Sequence, residues 1–304
     1  MGMSRAVLVG SALVGTVLSQ AAPSAAYRAT PNTRLASRAA APLPAIEEFD
    51  PALFPAPTSI TNQWTPLTPG TQLVFDGQVL ENGVAVPHRV IIVVTDLTKE
   101  IDGVPAVVVW DRDFTNGQLL EEELAFEAQD AAGNVWNLGE YPEEYENGEF
   151  VGAPNTWLAG QANARAGLLM RADPQVGTDS YVQGYAPDIE FFDEAEVSQL
   201  GERTCVPAGC YEGVLVIDEW SPLEAGSGHQ LKYYASGVGN VLITPAGGDA
   251  RESLALTQIS QLSGEELAQA RDAAVALDRR AYEEAPDVYG DTPRARGPGV
   301  PTAL

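Results

Sequence analysis

Basic residues are scarce in this 304-residue chain: 17 Lys and Arg stand against 42 Asp and Glu, a formal net charge of −25. Residues 1–46 hold four arginines and no acid, whereas residues 47–262 hold 8 basic and 34 acidic residues. A body that negative repels phosphate backbones and anionic bilayers, which argues against nucleic-acid and peripheral-membrane partners. Histidine is scarcer still. His88 and His229 are the whole supply, so any nucleophile–base scheme has to use one of them. No serine lies in a Gly-x-Ser-x-Gly elbow, and neither His-x-His nor His-Glu-x-x-His occurs, which disfavours a hydrolytic triad and a histidine-rich zinc or iron site. Both histidines sit at predicted strand starts, where an exposed structural role is the plainer one. Long apolar runs are missing as well. Ala6 to Leu18 is an apolar run of 13 residues, too short to span a bilayer as a helix.

That short run has another meaning. With a basic start at Met1 to Arg5 and small residues at Ser24-Ala25-Ala26, it reads as a secretory signal peptide over residues 1–26, and the protein is expected to be secreted to the extracellular side. The Ala-, Pro- and Arg-rich stretch 27–48 reads as a flexible leader. Cysteine usage agrees with export: Cys205 and Cys210 are the only two, separated by a Pro- and Gly-containing segment that folds into a turn. A redox pair and half a metal site are the alternatives. The spacing is not Cys-x-x-Cys and no second Cys/His pair exists, so a structural disulfide is expected.

From 49 to 262 the chain alternates short Val-, Ile-, Leu- and aromatic-rich runs with turn signals. Glu81-Asn82-Gly83, Ile101-Asp102-Gly103, Thr115-Asn116-Gly117, Ala132-Gly133-Asn134 and Glu146-Asn147-Gly148 supply the positive φ values that tight hairpins need. Their rhythm is that of a meander. About eleven strands are predicted, near 71–79, 88–97, 104–114, 119–128, 134–140, 179–186, 193–200, 211–220, 229–236, 238–244 and 252–261. The fold class is therefore mainly β, a curved antiparallel sheet, half-barrel or barrel, with one C-terminal helix. Residues 154–177 read as an ordered loop across one mouth of the sheet. Ser263-Gly264-Glu265-Glu266 is a capping-box pattern that opens a helix over 263–285, and the Pro-, Gly- and Arg-containing stretch 286–304 reads as a disordered tail.

Two constellations could carry chemistry. If Asn116-Gly117 is a two-residue turn, Arg112 faces Glu121 and Asp111 faces Glu122, a like-charge pair that needs a cation or a proton between them. Asp113 lies on the same face. Asp111, Asp113 and Glu122 are thus candidate metal ligands, with calcium the cofactor that oxygen donors in an acidic exported protein favour, although no EF-hand loop is present. A solvated charged face and a register slip are the plainer readings. The second constellation is aromatic: Trp110, Trp136, Trp157 and Tyr233 could line a concave sheet face that holds an apolar ligand, or could simply fill the core.

The pieces Phe49-Asp50-Pro51, Asn62-Gln63-Trp64-Thr65-Pro66, Ala128-Gln129-Asp130 through Gly133-Asn134-Val135-Trp136 with Gly139-Glu140, Trp220-Ser221-Pro222-Leu223-Glu224 and Tyr233-Tyr234-Ala235-Ser236-Gly237-Val238-Gly239 together resemble a widespread family of exported bacterial β-sheet proteins of unassigned function. The Tyr-Tyr-Ala-x-Gly-Val-Gly hairpin is also similar to half-barrel envelope proteins related to lipoprotein carriers. The resemblance covers roughly 49–246 and implies a lipid- or apolar-ligand-binding scaffold. Gln230 and Gly184 stand where the pattern has acids, and the cysteine loop is an addition. The expected function is binding of a small apolar or lipid-like ligand in the concave face. The alternatives are a carboxylate-dependent enzyme on a small extracellular substrate and a calcium-stabilised structural module.

Overall fold

The computed structural model describes residues 46–298 apart from 82, 224, 225, 227 and 249–251. The expected signal peptide, nearly all of the leader, Asn82 of the first turn signal and Glu224 of the Trp220 piece lie outside the described residues. Fourteen strands are described: β1 (Thr71–Glu81), β2 (Val84–Ile101), β3 (Val104–Thr115), β4 (Gln118–Gln129), β5 (Val135–Glu146), β6 (Glu149–Gly152), β7 (Trp157–Leu158), β8 (Arg165–Met170), β9 (Tyr181–Ala186), β10 (Phe191–Val206), β11 (Gly209–Trp220), β12 (His229–Ala235), β13 (Gly239–Ala246) and β14 (Ser253–Gln261). Two helices follow, α1 (Gly264–Glu284) and α2 (Pro286–Tyr289). Neighbours along the sheet run β4-β3-β2-β1-β14-β13-β12-β11-β10-β9-β8-β5, and β5 pairs back onto β4. The result is a closed 12-strand antiparallel barrel, with β6 and β7 attached to β5. Closure removes the free edges that an open sheet of this size would present.

The predicted hairpins form for the predicted reason. Asp102, Asn116 and Asn147 have φ of 47°, 52° and 54°, and the glycine after each is also positive, as a primed two-residue turn requires. All eleven predicted strands exist. Within the expected 154–177 loop, however, the chain adds β7 and β8. Gly139 makes this possible: at its φ of 145° a Cβ would stand 2.4 Å from the Trp157 carbonyl, so only glycine lets β7 approach β5.

The register of the β3–β4 hairpin corrects the expectation. Phe114 pairs with Leu119, but Asp113 pairs with Glu121, Arg112 with Glu122 and Asp111 with Glu123. One extra residue, Leu120, is accommodated as a bulge. Beyond a bulge the strand's remaining residues face the opposite way from the simple ladder. Arg112 keeps a glutamate opposite, and Asp111 is not opposite Glu122.

Helix α1 begins as anticipated, with the Ser263 side chain and the Glu266 side chain each accepting from the other's backbone N–H. Its Ala270, Ala274, Leu277 and Ala281 stripe is buried while Glu265, Glu266, Asp272 and Arg279 are exposed. The small residues let the helix lie close against the outer face of β2, β3 and β4. The stretch 286–298, expected as a disordered tail, is instead docked. Arg296 exchanges backbone hydrogen bonds with Thr98, and the fully buried Lys99 ammonium donates to Asp278 Oδ1 (3.1 Å), Tyr282 Oη (3.0 Å) and the Pro293 carbonyl (2.7 Å). One buried cation needs all three partners, and the tail supplies one of them.

The N-terminal segment seals one end of the barrel. Asn62 donates to the carbonyls of Gly133 and Arg171 and accepts from the N–H groups of Trp64 and Thr65, while Gln129 Oε1 accepts from Thr61 and Asn62. Asp130 holds Asn134 and the Trp136 indole N–H, 2.9 Å away. Phe49 and Phe54 close over Trp136 at 5.5 and 6.0 Å. The expected disulfide joins Cys205 and Cys210 across the β10–β11 hairpin.

Candidate functional site

Strand alternation assigns each wall residue to one of two faces. Because α1 lies outside, the face of β2–β4 beneath it is the outer one. The opposite face looks into the closed barrel, which is why its residues are buried. On β3 and β4 that inner face carries Asp111, Asp113, Glu121, Glu123 and Glu127. On β5 it carries Glu140 and Glu144, which pair with Ala125 and Glu121. All seven carboxyls are under 9% exposed.

The inner surface has two characters. Next to the acids round the barrel, with Val90 and Ile92 paired to Asp113 and Asp111, β2, β1, β14 and β13 present Val90, Phe75, Leu256, Leu254 and Ile243, a continuous buried apolar cluster against which Leu73 and Ile92 lie only partly buried. Between the two walls stand Glu219 of β11, Lys232 of β12 and Gln183 of β9. Lys232 pairs with Glu219, and Gln183 donates to the same carboxylate at 3.1 Å. Near the mouth His88 Nε2 lies 2.7 Å from Glu252 and 3.4 Å from Asp113, with Thr115 at Nδ1 (2.8 Å). The histidine expected at an exposed strand start is therefore a buried lumen residue. His229 is partly exposed, 2.9 Å from Asp218 and stacked on Trp220.

Burial and mutual repulsion act together on the inner carboxyls. Desolvation, then the charges of Asp113, Asp111, Glu140 and Glu144, push Glu121 well above the usual carboxylate range. Desolvation and the charges of Glu140 and Asp111 raise Glu127 to about 8. Burial raises Glu219 too, against the pull of Lys232. Glu140 is raised by burial but opposed by donors from Asn137 (2.8 Å) and the Trp157 indole (3.2 Å). Four atoms in this region, each at least nine-tenths buried, have no hydrogen-bond partner among the described residues: Glu121 Oε1, Glu127 Oε2, Tyr181 Oη and Gln183 Oε1. Native interiors rarely leave such groups unsatisfied.

The residues singled out from sequence divide between the faces. Trp157 is inside, opposite Glu140 and stacked on Phe191. Gly184 makes room for it, since a Cβ there would stand 2.9 Å from the indole and 2.7 Å from Phe191. The glycine in place of an acid is thus a packing requirement. Trp110, Trp136 and Tyr233 face outward, because Asp111, Asn137 and Lys232 take the adjacent inward positions. Trp110 donates to Glu122 (3.0 Å) and lies 4.0 Å under the Arg112 guanidinium. Trp136 is the capped residue of the sealed end, and Tyr233 is half-buried outside. Of the proposed metal ligands, Asp111 and Asp113 face the lumen and Glu122 faces out, so the three do not converge. Among the described residues no group of three or more His, Cys, Asp or Glu is placed to hold a metal ion. Tyr181, Gln183 and Glu219 were missed. Their signal was the alternation around Lys232, a lone basic residue in an apolar strand.

No family model matches the chain, and no curated protein does. Two solved structures are similar in fold. One is a protein from Bacteroides fragilis described as exported and of YmcC-like fold, 15% identical over 66% of this chain and 99% of that one, TM-score 0.38. The other, from Parabacteroides distasonis, is described as a lipoprotein and is 14% identical over 64% of this chain and 97% of that one, TM-score 0.37. No helix among the described residues is long and apolar enough to cross a membrane.

Proposed function

We propose that the chain is an exported, small-molecule-binding barrel whose lumen holds a guest with an apolar portion. Export is supported by the signal-peptide pattern and the disulfide. The observation that carries the binding reading is the divided lumen: a partly buried apolar stretch at Leu73 and Ile92 borders a polar wall whose buried Glu121, Glu127, Tyr181 and Gln183 atoms lack partners. Barrels of this strand number enclose more space than eight-stranded ones, and unpaired polar atoms beside apolar surface suit an amphipathic ligand. The ligand envisaged from sequence was a small apolar or lipid-like one lying on Trp110, Trp136, Trp157 and Tyr233. The revised guest contacts Trp157 and the apolar wall, and its polar end meets the acids. Native mass spectrometry of protein secreted by its own host tests this. A retained small molecule that leaves on denaturation is expected, and a chain of bare mass overturns the reading.

One observation favours catalysis as a second reading. Glu127, raised to about 8, stays protonated at neutral pH beside Glu140, which burial also raises but which two donors pull back toward its charged form. A carboxyl that holds its proton next to one whose carboxylate is hydrogen-bonded is the arrangement an acid–base pair uses. Turnover of a retained molecule that Glu127→Gln and Glu140→Gln each abolish would establish it, and unchanged turnover would dismiss it.

A further inference from the structure

The polar end of the guest can be specified, on the premise that the lumen binds a small molecule at all. Glu121 and Glu127 are both on β4, both inward, both without a hydrogen-bond partner at one buried oxygen, and six positions apart. At the rise of a strand their backbones are separated by about 20 Å. Between them lie Glu123 and Ala125 on β4 and Asp111 and Glu140 on the neighbouring strands, and next to Asp111 the apolar face begins with Ile92 and then Leu73. Tyr181 Oη, 1% exposed and equally unpartnered, is a second kind of group on the same lumen, as its response to Glu219 indicates. A neutral polar head would satisfy hydrogen bonds at one of the two glutamates and leave the other unpaired. An anionic head would be repelled by the charges of Asp111 and Glu140 that already act on Glu127.

We propose that the lumen takes a linear aliphatic polyamine, with one ammonium on Glu127, another on Glu121, and the intervening methylenes over Ala125 on the side of the apolar face that begins at Ile92. Charge-assisted hydrogen bonds from ammonium to carboxylate supply the partners that the protein does not. The apolar wall accounts for the methylenes, which a metal ion would leave uncovered. Binding an ammonium requires the glutamates to ionise, so complex formation expels protons. The groups facing them are Asp111 and Asp113 of β3, Glu140 and Glu144 of β5, and Tyr234 of β12, with Lys232 acting on Glu140.

Isothermal calorimetry with spermidine tests this. At 150 mM salt, one spermidine per chain is expected, with proton release read from buffers of different ionisation enthalpy. Glu127→Gln and Glu121→Gln should each weaken it about tenfold or more, and butylamine should bind at least about tenfold less tightly. Glu196→Gln, an exposed acid, should change nothing, which separates lumen binding from attraction to an acidic surface. Near-UV circular dichroism confirms that the variants fold. Binding that the lumen variants leave intact, butylamine binding as tight as spermidine, or binding of calcium in place of spermidine overturns the polyamine inference. A neutral or anionic molecule retained in native mass spectrometry, with no spermidine binding, overturns it while leaving the carrier reading standing. A bare chain that also ignores spermidine overturns both.

Discussion

Charges on the outer wall beneath α1 and charges in the lumen are treated differently by the same strands. Outside, Lys99 has Asp278, Arg271 meets Asp96 with its Nε at 2.7 Å, and Arg280 grips Glu143 at 2.7 and 2.6 Å while Tyr141 and Tyr145 donate to the same carboxylate. Inside, Glu121 and Glu127 have like charges for neighbours and an unpaired oxygen each. Outer charges fasten one piece of chain to another, and their partners are fixed by the fold. Glu121 and Glu127 each keep one buried oxygen that no group among the described residues satisfies, the pattern expected of a binding surface rather than of a scaffold.

The largest effect should come from breaking an outer pair. Lys99→Met removes three hydrogen bonds and leaves Asp278 buried without its cation, a change that costs about 3–5 kcal/mol in buried ion pairs. Melting should drop by about 10 °C, and hydrogen exchange should show α1 and residues 286–298 released before the barrel. If α1 keeps its protection, the lock has been placed wrongly.

The lumen should respond to pH with the opposite sense from a paired carboxylate. Glu127 is raised from about 4.5 to about 8 in the folded protein, so the folded state binds the extra proton between those values. Its stability is complete below pH 4.5 and is lost as pH rises through 8. Without ligand, the protein should be more stable at pH 5 than at pH 8.5 by about 3 kcal/mol, and Glu127→Gln should flatten most of that slope. A protein equally stable at both values would mean that the lumen glutamates are already neutralised.

Much of this was legible in the sequence, and the failures share one cause. The Asp102-Gly103, Asn116-Gly117 and Asn147-Gly148 turns, the Ser263 cap and the disulfide are local features, and each formed as expected. The assignment of faces was not local. Leu120, a single bulged residue, reversed the alternation of Asp111 and Glu122, and three of four chosen aromatics faced out because Asp111, Asn137 and Lys232 faced in. Of the pieces that carry the family resemblance, Asn62, Asp130, Asn134 and Trp136 hydrogen-bond one another and their neighbours to seal the barrel's end, so Trp136, chosen as a ligand contact, is taken up by that seal. Tail docking was invisible because Pro293 contributes its backbone carbonyl to Lys99, which no side-chain pattern announces.

A smaller effect should follow from filling the space that Trp157 occupies. Gly184→Ala places a methyl against the indole and Phe191, and overpacking of that kind costs about 1–3 kcal/mol. Because Trp157 donates to Glu140, its fluorescence should shift in the variant and the pH dependence of that fluorescence should change with it. Loss of stability with an unaltered indole signal would detach Trp157 from the acidic wall.

The smallest effect isolates the comparison to adjacent residues of one strand. Glu121 and Glu122 differ by one position and face opposite ways. Glu122→Gln keeps an acceptor for the Trp110 indole and loses only a half-buried charge near Arg112, so stability should change by less than about 1 kcal/mol. Glu121→Gln removes a charge that burial and four neighbouring acids oppose, and it should raise the melting temperature at pH 8.5 while doing little at pH 5. Thermal melts of the two variants at both pH values suffice. If the effect of Glu122→Gln depends on pH more than that of Glu121→Gln, although burial raises Glu122 far less, the bulge at Leu120 has been placed on the wrong side of the hairpin, and the inner and outer faces of β4 exchange.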